Sequence, residues 1–176
     1  DIQDVGVRFY TYISSLEYFL EAALEHHKPL LILDRPNPNG FYVDGPVLDP
    51  KFKSFIGMQP VPIVYGMTMG EYALMLAGEK WLSAKANAIN DYNVTTKPTA
   101  DTPYHVQVIK CKNYDHKTMY DLPVNPSPNL KEMQSIYWYP STCFFEGTVL
   151  SEGRGTDKPF QYFGHPNLPK NMFAFT

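Results

Sequence analysis

Residues 14–34 read SSLEYFLEAALEHHKPLLILD and carry the pattern that decides the fold. Ser14 to Glu17 fits a capping box, in which a serine hydroxyl and a glutamate three residues later satisfy the first amides of a helix. Apolar residues then recur at helical spacing and predict an amphipathic helix, which Pro29 ends because proline cannot continue it. These apolar residues are Leu16, Phe19, Leu20, Ala23 and Leu24. The all-apolar run Leu30 to Leu33 is typical of a parallel strand covered on both faces.

Further helix and strand signals flank this stretch. A second capping box, Thr68 to Glu71, predicts a helix that continues through Leu82, and Asn129 is predicted to open a third, short helix that ends by Pro140. Strands are predicted at residues 1–4, 104–111 and 142–145. Because strand, helix and strand would follow one another within residues 1–33, the sequence indicates a βαβ unit and a parallel sheet. We therefore predict an α/β fold with a Rossmann-like layer, in which residues 34–67 and 86–103 are poor in regular structure.

Composition and charge exclude several classes of function. The 176 residues are 44% apolar, enough for a core, and 15 basic against 18 acidic side chains give a net charge of −3. That balance argues against a nucleic-acid partner. Apolar runs are far shorter than the ~20 residues of a membrane-spanning helix. Two cysteines are too few for a disulfide scaffold or a four-ligand zinc site, and the histidines lack metal-ligand spacing, so we expect no cofactor.

Two acidic residues fall at the carboxyl ends of neighbouring predicted strands, where open parallel sheets bind their ligands. They are Asp4 and Asp34, and each is followed by a loop that carries an arginine, Arg8 or Arg35. Either aspartate alone could cap a turn or pair with the arginine near it. The two together favour a site at one edge of the sheet.

A third loop carries the remaining arginine. Arg154 lies between two glycines, and Glu146 and Glu152 bracket this segment. The glycines allow positive φ angles and a close approach of the backbone to a ligand, although an ordinary exposed turn is the alternative. All three arginines of the chain thus lie in these loops, and their planar forks suit carboxylate or phosphate recognition. The stiff Pro-Ser-Pro segment before Asn129 could project that residue towards a ligand or make it a helix N-cap.

Six motifs occur in this order in one known family. They are residues 1–12 (DIQDVGVRFYTY), 33–38 (LDRPNP), 43–46 (VDGP), 65–71 (YGMTMGE), 126–129 (PSPN) and 145–156 (FEGTVLSEGRGT). Together they resemble the exo-β-N-acetylmuramidases of the NamZ type, formerly a domain of unknown function. Residues 113–116 (NYDH) and 160–165 (FQYFGH) resemble the Bacteroidetes branch of that family.

The resemblance implies an exported protein, periplasmic or outer-membrane-associated, that releases N-acetylmuramic acid from the non-reducing end of peptidoglycan fragments. It implies a Rossmann-like amino-terminal domain over residues 1–138, without its first strands, and the start of a smaller carboxy-terminal α/β domain over residues 139–176. We expect an internal piece of a longer protein, since the chain begins inside a strand-like stretch. The key glutamate of the family lies in a Pro-Glu-His-Gly stretch that these residues do not contain, and Tyr65 stands where many members have histidine.

The substrate that the resemblance implies suggests a role for the arginines. N-acetylmuramic acid differs from N-acetylglucosamine by a lactyl ether with a carboxylate, so an enzyme that prefers it needs a cation there. The expected substrate-binding residues are Arg8, Tyr10, Tyr12, Asp34, Arg35, Asn37, Asn129 and Arg154. Glycoside cleavage needs an acid and a group that stabilises or attacks the anomeric carbon. The candidate carboxylates for catalytic or supporting roles are Asp4, Glu146 and Glu152, and the sequence leaves open a retaining or inverting mechanism and the oligomeric state.

Two other functions stay open at the level of sequence. A non-catalytic binding module for sugars that contain muramic acid would use the same tyrosine- and arginine-bearing loops, and only turnover separates it from a hydrolase. A nucleotide- or phosphate-binding α/β domain would rest on the loop around Arg154 alone.

Overall fold

The computed structural model describes residues 1–89, 93–96 and 105–169. The chain divides into two compact units, Asp1–Tyr120 and Asp121–Thr176. The first unit contains α1 (Tyr12–Glu25), β1 (Leu30–Leu33), α2 (Met69–Gly78), α3 (Ala84–Asn87), β2 (Asn93–Thr95) and β3 (His105–Ile109), and the second contains α4 (Met133–Thr142). Short 3-10 turns occur at Arg8–Tyr10, Pro50–Phe52 and Cys143–Gly147. The domain boundary expected after residue 138 falls inside α4 and stays a prediction.

The three strands form a parallel sheet in the order β1-β3-β2. Helices flank this sheet, so the mixed α/β class is confirmed. Within β1, Ile32 is buried but Leu31 and Leu33 are exposed, so the expected burial of both faces is wrong for this strand. No strand is assigned to Asp1–Asp4, where one was expected; β1 pairs with β3 instead.

Helix α1 starts three residues earlier than its sequence suggests. Thr11, in the left-handed conformation at φ +77°, is its N-cap, and Ser14 and Glu17 both lie inside the helix and are buried. The capping-box prediction is therefore wrong. The reason is tertiary: the Glu17 carboxylate accepts a hydrogen bond from Gln59 at 2.6 Å instead of returning to the backbone.

Helix α2 confirms the second capping box. The Thr68 hydroxyl accepts from the Glu71 amide at 3.2 Å, and the Glu71 carboxylate accepts from the Thr68 amide at 3.0 Å. The helix ends at Gly78, because Lys80 takes a left-handed conformation that turns the chain, so its predicted extension through Leu82 is wrong. The stretch expected to be poor in structure contains the end of α3 and the short strand β2; residues 90–92 and 97–104 lie outside the described residues.

The second unit differs from its prediction at both ends of its helix. Asn129 is not the N-cap of α4, since the Ser127 hydroxyl accepts from the Asn129 and Leu130 amides in a separate turn and the helix begins at Met133. Pro140 lies inside the helix, not after it. Residues 142–145, predicted as a strand, form the end of α4 and a 3-10 turn.

The core of the first unit lies between α1, α2 and the sheet. Its buried apolar residues include Leu16, Leu20, Ile32, Tyr65, Tyr72, Leu76, Val106 and Val108. This packing fixes the loops that leave the carboxyl ends of the strands and the loop that leads into α1.

Candidate functional site

Asp4 is the centre of a group of interlocked loops in the first unit. Its side chain is buried, and its Oδ2 atom accepts hydrogen bonds from the Gly6 amide at 2.7 Å and from the Tyr65 hydroxyl. Burial raises the pKa of Asp4 to about 6, against the opposing effect of the bonds from Tyr65 and Gly6. The carboxyl group therefore titrates near neutral pH, but it lies beneath the surface.

Asn37 ties the same loops together. Its Nδ2 donates to the Met67 carbonyl at 2.8 Å, its Oδ1 accepts from the Asn39 amide at 2.8 Å, and Asn39 in turn donates to the Val5 carbonyl at 2.9 Å. Gly6, at φ +78°, lies so close that a β-carbon there would overlap the Asn37 amide. We call Asp4, Gly6, Asn37, Asn39 and Tyr65 the aspartate hub. Asn37 is buried, so its side-chain amide holds the hub together.

Asp34 follows β1 and lies at the start of α2. Its Oδ1 accepts from the Gly70 amide at 2.9 Å and its Oδ2 from the Thr68 hydroxyl at 2.6 Å. A carboxylate is favourable at a helix N-terminus, where amides lack partners and the dipole is positive. Asp34 thus caps helix α2, whose bonded residues are 34 and 36 positions away, and not the local turn considered from sequence; its carboxylate also borders a pocket.

That pocket, of about 230 Å³, opens beyond the carboxyl ends of β1 and β3, the edge where parallel sheets bind ligands. Its polar lining consists of Asp34, Thr68, Glu71, Lys110, Cys111, Tyr114, Asp115 and His116. The Tyr114 hydroxyl also bonds both backbone groups of Asn37, the carbonyl at 3.0 Å and the amide at 3.2 Å, so the pocket wall adjoins the hub.

A carboxylate–histidine pair in this pocket was missed by the sequence analysis. His116 Nε2 lies 3.0 Å from the Glu71 carboxylate, and Nδ1 lies 2.9 Å from the Gly40 carbonyl. Both partners are acceptors, an arrangement that favours the doubly protonated ring. The Glu71 bond raises the pKa of His116. For Glu71 itself burial would raise the pKa, but the Thr68 amide and His116 outweigh burial and lower it.

The arginines of the first unit have different partners. The Arg8 guanidinium donates to the Val61 carbonyl and, at 3.2 Å, to the Pro46 carbonyl, and burial lowers its pKa. Among the described residues no carboxylate pairs with Arg8. Arg35, by contrast, pairs with Asp1 through two of its nitrogens.

The two tyrosines of the first motif lie together beside Arg8. Tyr10 ends the 3-10 turn that Arg8 begins, and Tyr12 starts α1. Their ring centroids are 4.7 Å apart with the planes tilted by 59°, and both side chains are partly exposed. The structure thus brings Arg8, Tyr10 and Tyr12 together at one short segment.

The predicted residues of the second unit also converge. Arg154 Nε lies 2.6 Å from Glu152 Oε1, and its Nη2 pairs with Glu146. The guanidinium lies 5.2 Å from the centroid of the Phe160 ring. We call these four residues the Arg154 cluster. The Glu146 bond raises the pKa of Arg154, whose charge is thus already met by two carboxylates.

Two further predictions concern the backbone and Asn129. The glycines that flank Arg154 have φ angles of +86° and +82°, as expected. Asn129 is half-buried, and its amide donates to the Ser127 hydroxyl at 3.2 Å. In the described part of the chain no group of three or more acidic, histidine or cysteine side chains is arranged to hold a metal, and none of the helices described has the length and apolarity to cross a membrane.

Comparison with known proteins gives matches along the whole chain. Residues 1–134 match the family described as exo-beta-N-acetylmuramidase NamZ, N-terminal, and residues 137–176 match the corresponding C-terminal family. The peptidoglycan beta-N-acetylmuramidase NamZ of Bacillus subtilis (strain 168) is 42% identical over 171 residues, which cover 94% of this chain and 36% of that protein.

Two crystal structures of DUF1343 family proteins from Bacteroides fragilis are similar to the chain. One has a TM-score of 0.85 at 53% identity and covers all of this chain and 45% of the other. The second has a TM-score of 0.76 at 34% identity and covers 93% and 39%. The chain thus spans 36% of the curated relative and less than half of each solved chain.

Proposed function

This chain belongs to the exo-β-N-acetylmuramidase NamZ family, and from that premise we propose that it is part of a glycoside hydrolase. Its reaction is release of N-acetylmuramic acid from the non-reducing end of peptidoglycan fragments. The observation that carries the proposal is the match to both domains of the family. The 42% identity to a peptidoglycan β-N-acetylmuramidase supports it.

Among the arginines, Arg8 is the best candidate to bind the lactyl carboxylate of the substrate. An anion gains most from a cation whose charge is not already met, because a charge-assisted bond then forms without displacing another. Arg35 and Arg154 each have carboxylate partners, whereas Arg8 donates to carbonyls. Tyr10 and Tyr12, next to Arg8 in the chain, supply aromatic surface for a sugar ring.

Asp4 has a positioning role in this proposal. Its buried carboxyl cannot touch a sugar, but it fixes the Gly6 amide and so the start of the segment that carries Arg8. Glu146 and Glu152 hold Arg154. The acid that protonates the leaving oxygen is then expected from the key glutamate of the family, outside residues 1–176.

The site of action follows from the substrate. Peptidoglycan lies outside the cytoplasmic membrane, so we propose an exported protein, periplasmic or outer-membrane-associated. The 53% identity to a Bacteroides fragilis protein supports a member of the Bacteroidetes type. The parallel order β1-β3-β2 supports the finer description as part of a Rossmann-like sheet.

The test is release of nitrophenol from a β-N-acetylmuraminide by the full-length protein, with the β-N-acetylglucosaminide as control substrate. We expect turnover of the first substrate alone. A folded protein that turns over neither substrate but binds muramic acid would be a binding module, and the hydrolase proposal would be wrong.

Two arginine variants test which residue recognises the lactyl carboxylate of the substrate. We expect Arg8→Lys to lower kcat/KM for the muraminide roughly 10- to 100-fold, because lysine cannot reproduce a two-pronged bond to a carboxylate. The matched variant is Arg154→Lys, for which we expect a change of less than about threefold. A larger loss from Arg154→Lys would transfer recognition to the second unit.

A further inference from the structure

Four polar side-chain atoms in the core of the first unit have no hydrogen-bond partner among the described protein groups. They are Asp4 Oδ1, Ser14 Oγ, Glu17 Oε2 and Tyr72 Oη. All four residues are at most 4% exposed. An unsatisfied buried polar atom costs about 1–3 kcal/mol, and native proteins contain few of them. Four in one core therefore require a physical explanation.

These atoms come from elements that pack against one another. Ser14 and Glu17 are three residues apart on α1 and so share a face of that helix. Tyr72 lies on α2, in the same core cluster as the α1 residues Ile13, Leu16 and Leu20. The Asp4 loop reaches the core through Tyr65, whose hydroxyl donates to Asp4 and whose ring centroid is 5.9 Å from that of Tyr72.

The Tyr72 phenol lies within electrostatic reach of both carboxyl groups. Burial is the main cause that raises its pKa, and the charges of Glu17 and Asp4 raise it further. A phenol that remains protonated keeps its O–H as a donor, and each of the two carboxyl groups has one oxygen without a partner. A donor and two acceptors are thus near one another without a direct bond.

A water molecule fits this arrangement. Buried waters typically make two to four hydrogen bonds to polar groups that would otherwise be unsatisfied, whereas purely apolar cavities stay dry. We propose that a buried water-binding site lies between α1, α2 and the Asp4 loop, held by the Tyr72 hydroxyl and by the free carboxyl oxygens of Glu17 and Asp4. The Ser14 hydroxyl completes its polar lining.

This water site connects the core to the aspartate hub. Gln59 donates to Glu17 at 2.6 Å and to the Trp81 carbonyl at 3.0 Å, so the far end of the network is anchored in the chain after α2. Burial raises the pKa of Glu17 to about 7; Gln59 and Lys53 oppose this rise, and Glu21 adds to it. Each of these two carboxyl groups, when protonated, can both donate to and accept from a water molecule that Tyr72 also binds.

The stability of Tyr72→Phe in the full-length protein tests the proposal through the sign of the change. If the hydroxyl binds water that bridges to the carboxyl groups, its removal destabilises, and we expect the unfolding equilibrium constant to rise roughly three- to tenfold. If the hydroxyl is dry and unpartnered, its removal relieves a buried polar group and the constant falls or stays the same, which would overturn the proposal.

The matched control is Tyr18→Phe on α1, since Tyr18 is 52% exposed. We expect less than a twofold change there. A second measurement keeps the proposal testable if Tyr72→Phe does not fold. A high-resolution crystal structure of the unaltered protein should show an ordered water within hydrogen-bond distance of Tyr72 Oη and of a Glu17 or Asp4 oxygen. Density without such a water, or with the phenol bonded directly to a carboxylate, would overturn it.

Discussion

The aspartate hub and the Arg154 cluster bury a carboxylate in opposite ways. Asp4 accepts from neutral donors, a backbone amide and a phenol, and Arg8, four positions later in the chain, donates to carbonyls. Glu152 is buried as well, but Arg154 lies directly against it. The hub therefore holds its carboxyl group without a cation, whereas the cluster neutralises its charges internally.

This difference in pairing decides which arginine is able to bind an anion and which one stabilises the fold. A ligand carboxylate that approached Arg154 would have to compete with Glu146 and Glu152, and both would repel it. At Arg8 it would replace carbonyl contacts or add to them, since a guanidinium has five donors. The comparison thus favours Arg8 as a ligand contact and Arg154 as a stabilising one.

The largest expected effect on stability comes from replacing a glycine by alanine, and each region has a glycine with which to test it. Gly6 and Gly155 have nearly the same φ, +78° and +82°, but a β-carbon at Gly6 meets Asn37 whereas one at Gly155 meets no atom within 4 Å. We expect Gly6→Ala to lower the free energy of unfolding by about 4 kcal/mol, from backbone strain of about 1–2 and displacement of Asn37 of about 1–3. Gly155→Ala should lower it by about 1 kcal/mol.

Urea unfolding of the two full-length variants measures this difference. Equal losses would mean that Asn37 yields to the added methyl group without cost. The hub would then be as adaptable as the exposed turn, and the contrast between the regions would be broken.

The second expected effect is a dependence of protein stability on pH, caused by Asp4 in the aspartate hub. Folded Asp4 keeps its proton up to about pH 6, whereas the unfolded residue loses it near 3.8, so the folded state binds more protons between these values. Stability therefore falls as pH rises through this window, by about 3 kcal/mol in all, and the contribution of Asp4 is constant above it.

Asp4→Asn removes this contribution, because an amide does not titrate. We expect the stability difference between variant and unaltered protein to change by about 3 kcal/mol between pH 3.5 and pH 7, in favour of the variant at the higher pH. Glu17 titrates in both proteins, so the difference retains only its coupling to Asp4. Denaturant unfolding at a series of pH values checks this, and a difference that does not vary with pH would show that folding does not raise the pKa of Asp4.

The sequence predicted these regions only where local rules decide the structure. The capping box at Thr68 and the strand at Leu30 to Leu33 depend on neighbouring residues, and both are confirmed. The box at Ser14 obeys the same local rule, yet it fails because Glu17 bonds Gln59, 42 positions away. Strand β2 has three residues, too few for a hydrophobic pattern to reveal it.

In the candidate site, too, the sequence indicates groups that are close in the chain but not contacts between distant residues. The sequence singled out Arg154, Glu146 and Glu152 as one loop, but their pairing with each other was not predicted. The pairing of Glu71 with His116 joins residues 45 positions apart, and neither carries a metal-binding or catalytic motif that would single it out. The position of Arg8 depends on the Val61 and Pro46 carbonyls, which side-chain types do not reveal.

The third expected effect is a salt-dependent loss of stability when the Arg154 cluster loses its cation. Arg154→Gln leaves Glu146 and the buried Glu152 without a cation, and we expect a loss of about 1–2 kcal/mol at low salt that shrinks as salt is added. The estimate stays below that for a fully buried pair because the Arg154 side chain is 49% exposed. Arg35→Gln, at an ion pair with both partners exposed, should cost less than about 0.5 kcal/mol.

Unfolding of both variants at low and high salt is the measurement. A loss at Arg154 that ignored salt would show that the contact with the Phe160 ring, not the two carboxylates, stabilises the cluster. The cluster would then no longer be a charged counterpart of the hub.

The smallest effect tests whether a charged pair in the first unit behaves as the cluster does. His116 and Glu71 form an ion pair with side chains 45% and 34% exposed, so we expect only about 0.5 kcal/mol from it. The pKa of His116 is raised, so this contribution is fully present below pH 6.5 and is lost as pH rises through the higher, folded-state value. His116→Gln should therefore destabilise the protein at pH 6 and leave it unchanged at pH 9, as denaturant unfolding at the two values would show.

Because this dependence has the same sign as that of Asp4, the two variants must be compared at the same pH. If His116→Gln destabilised equally at both, the bond from Nδ1 to the Gly40 carbonyl would be the stabilising contact, and the pair with Glu71 would not stabilise the protein through its charges as the Arg154 cluster does.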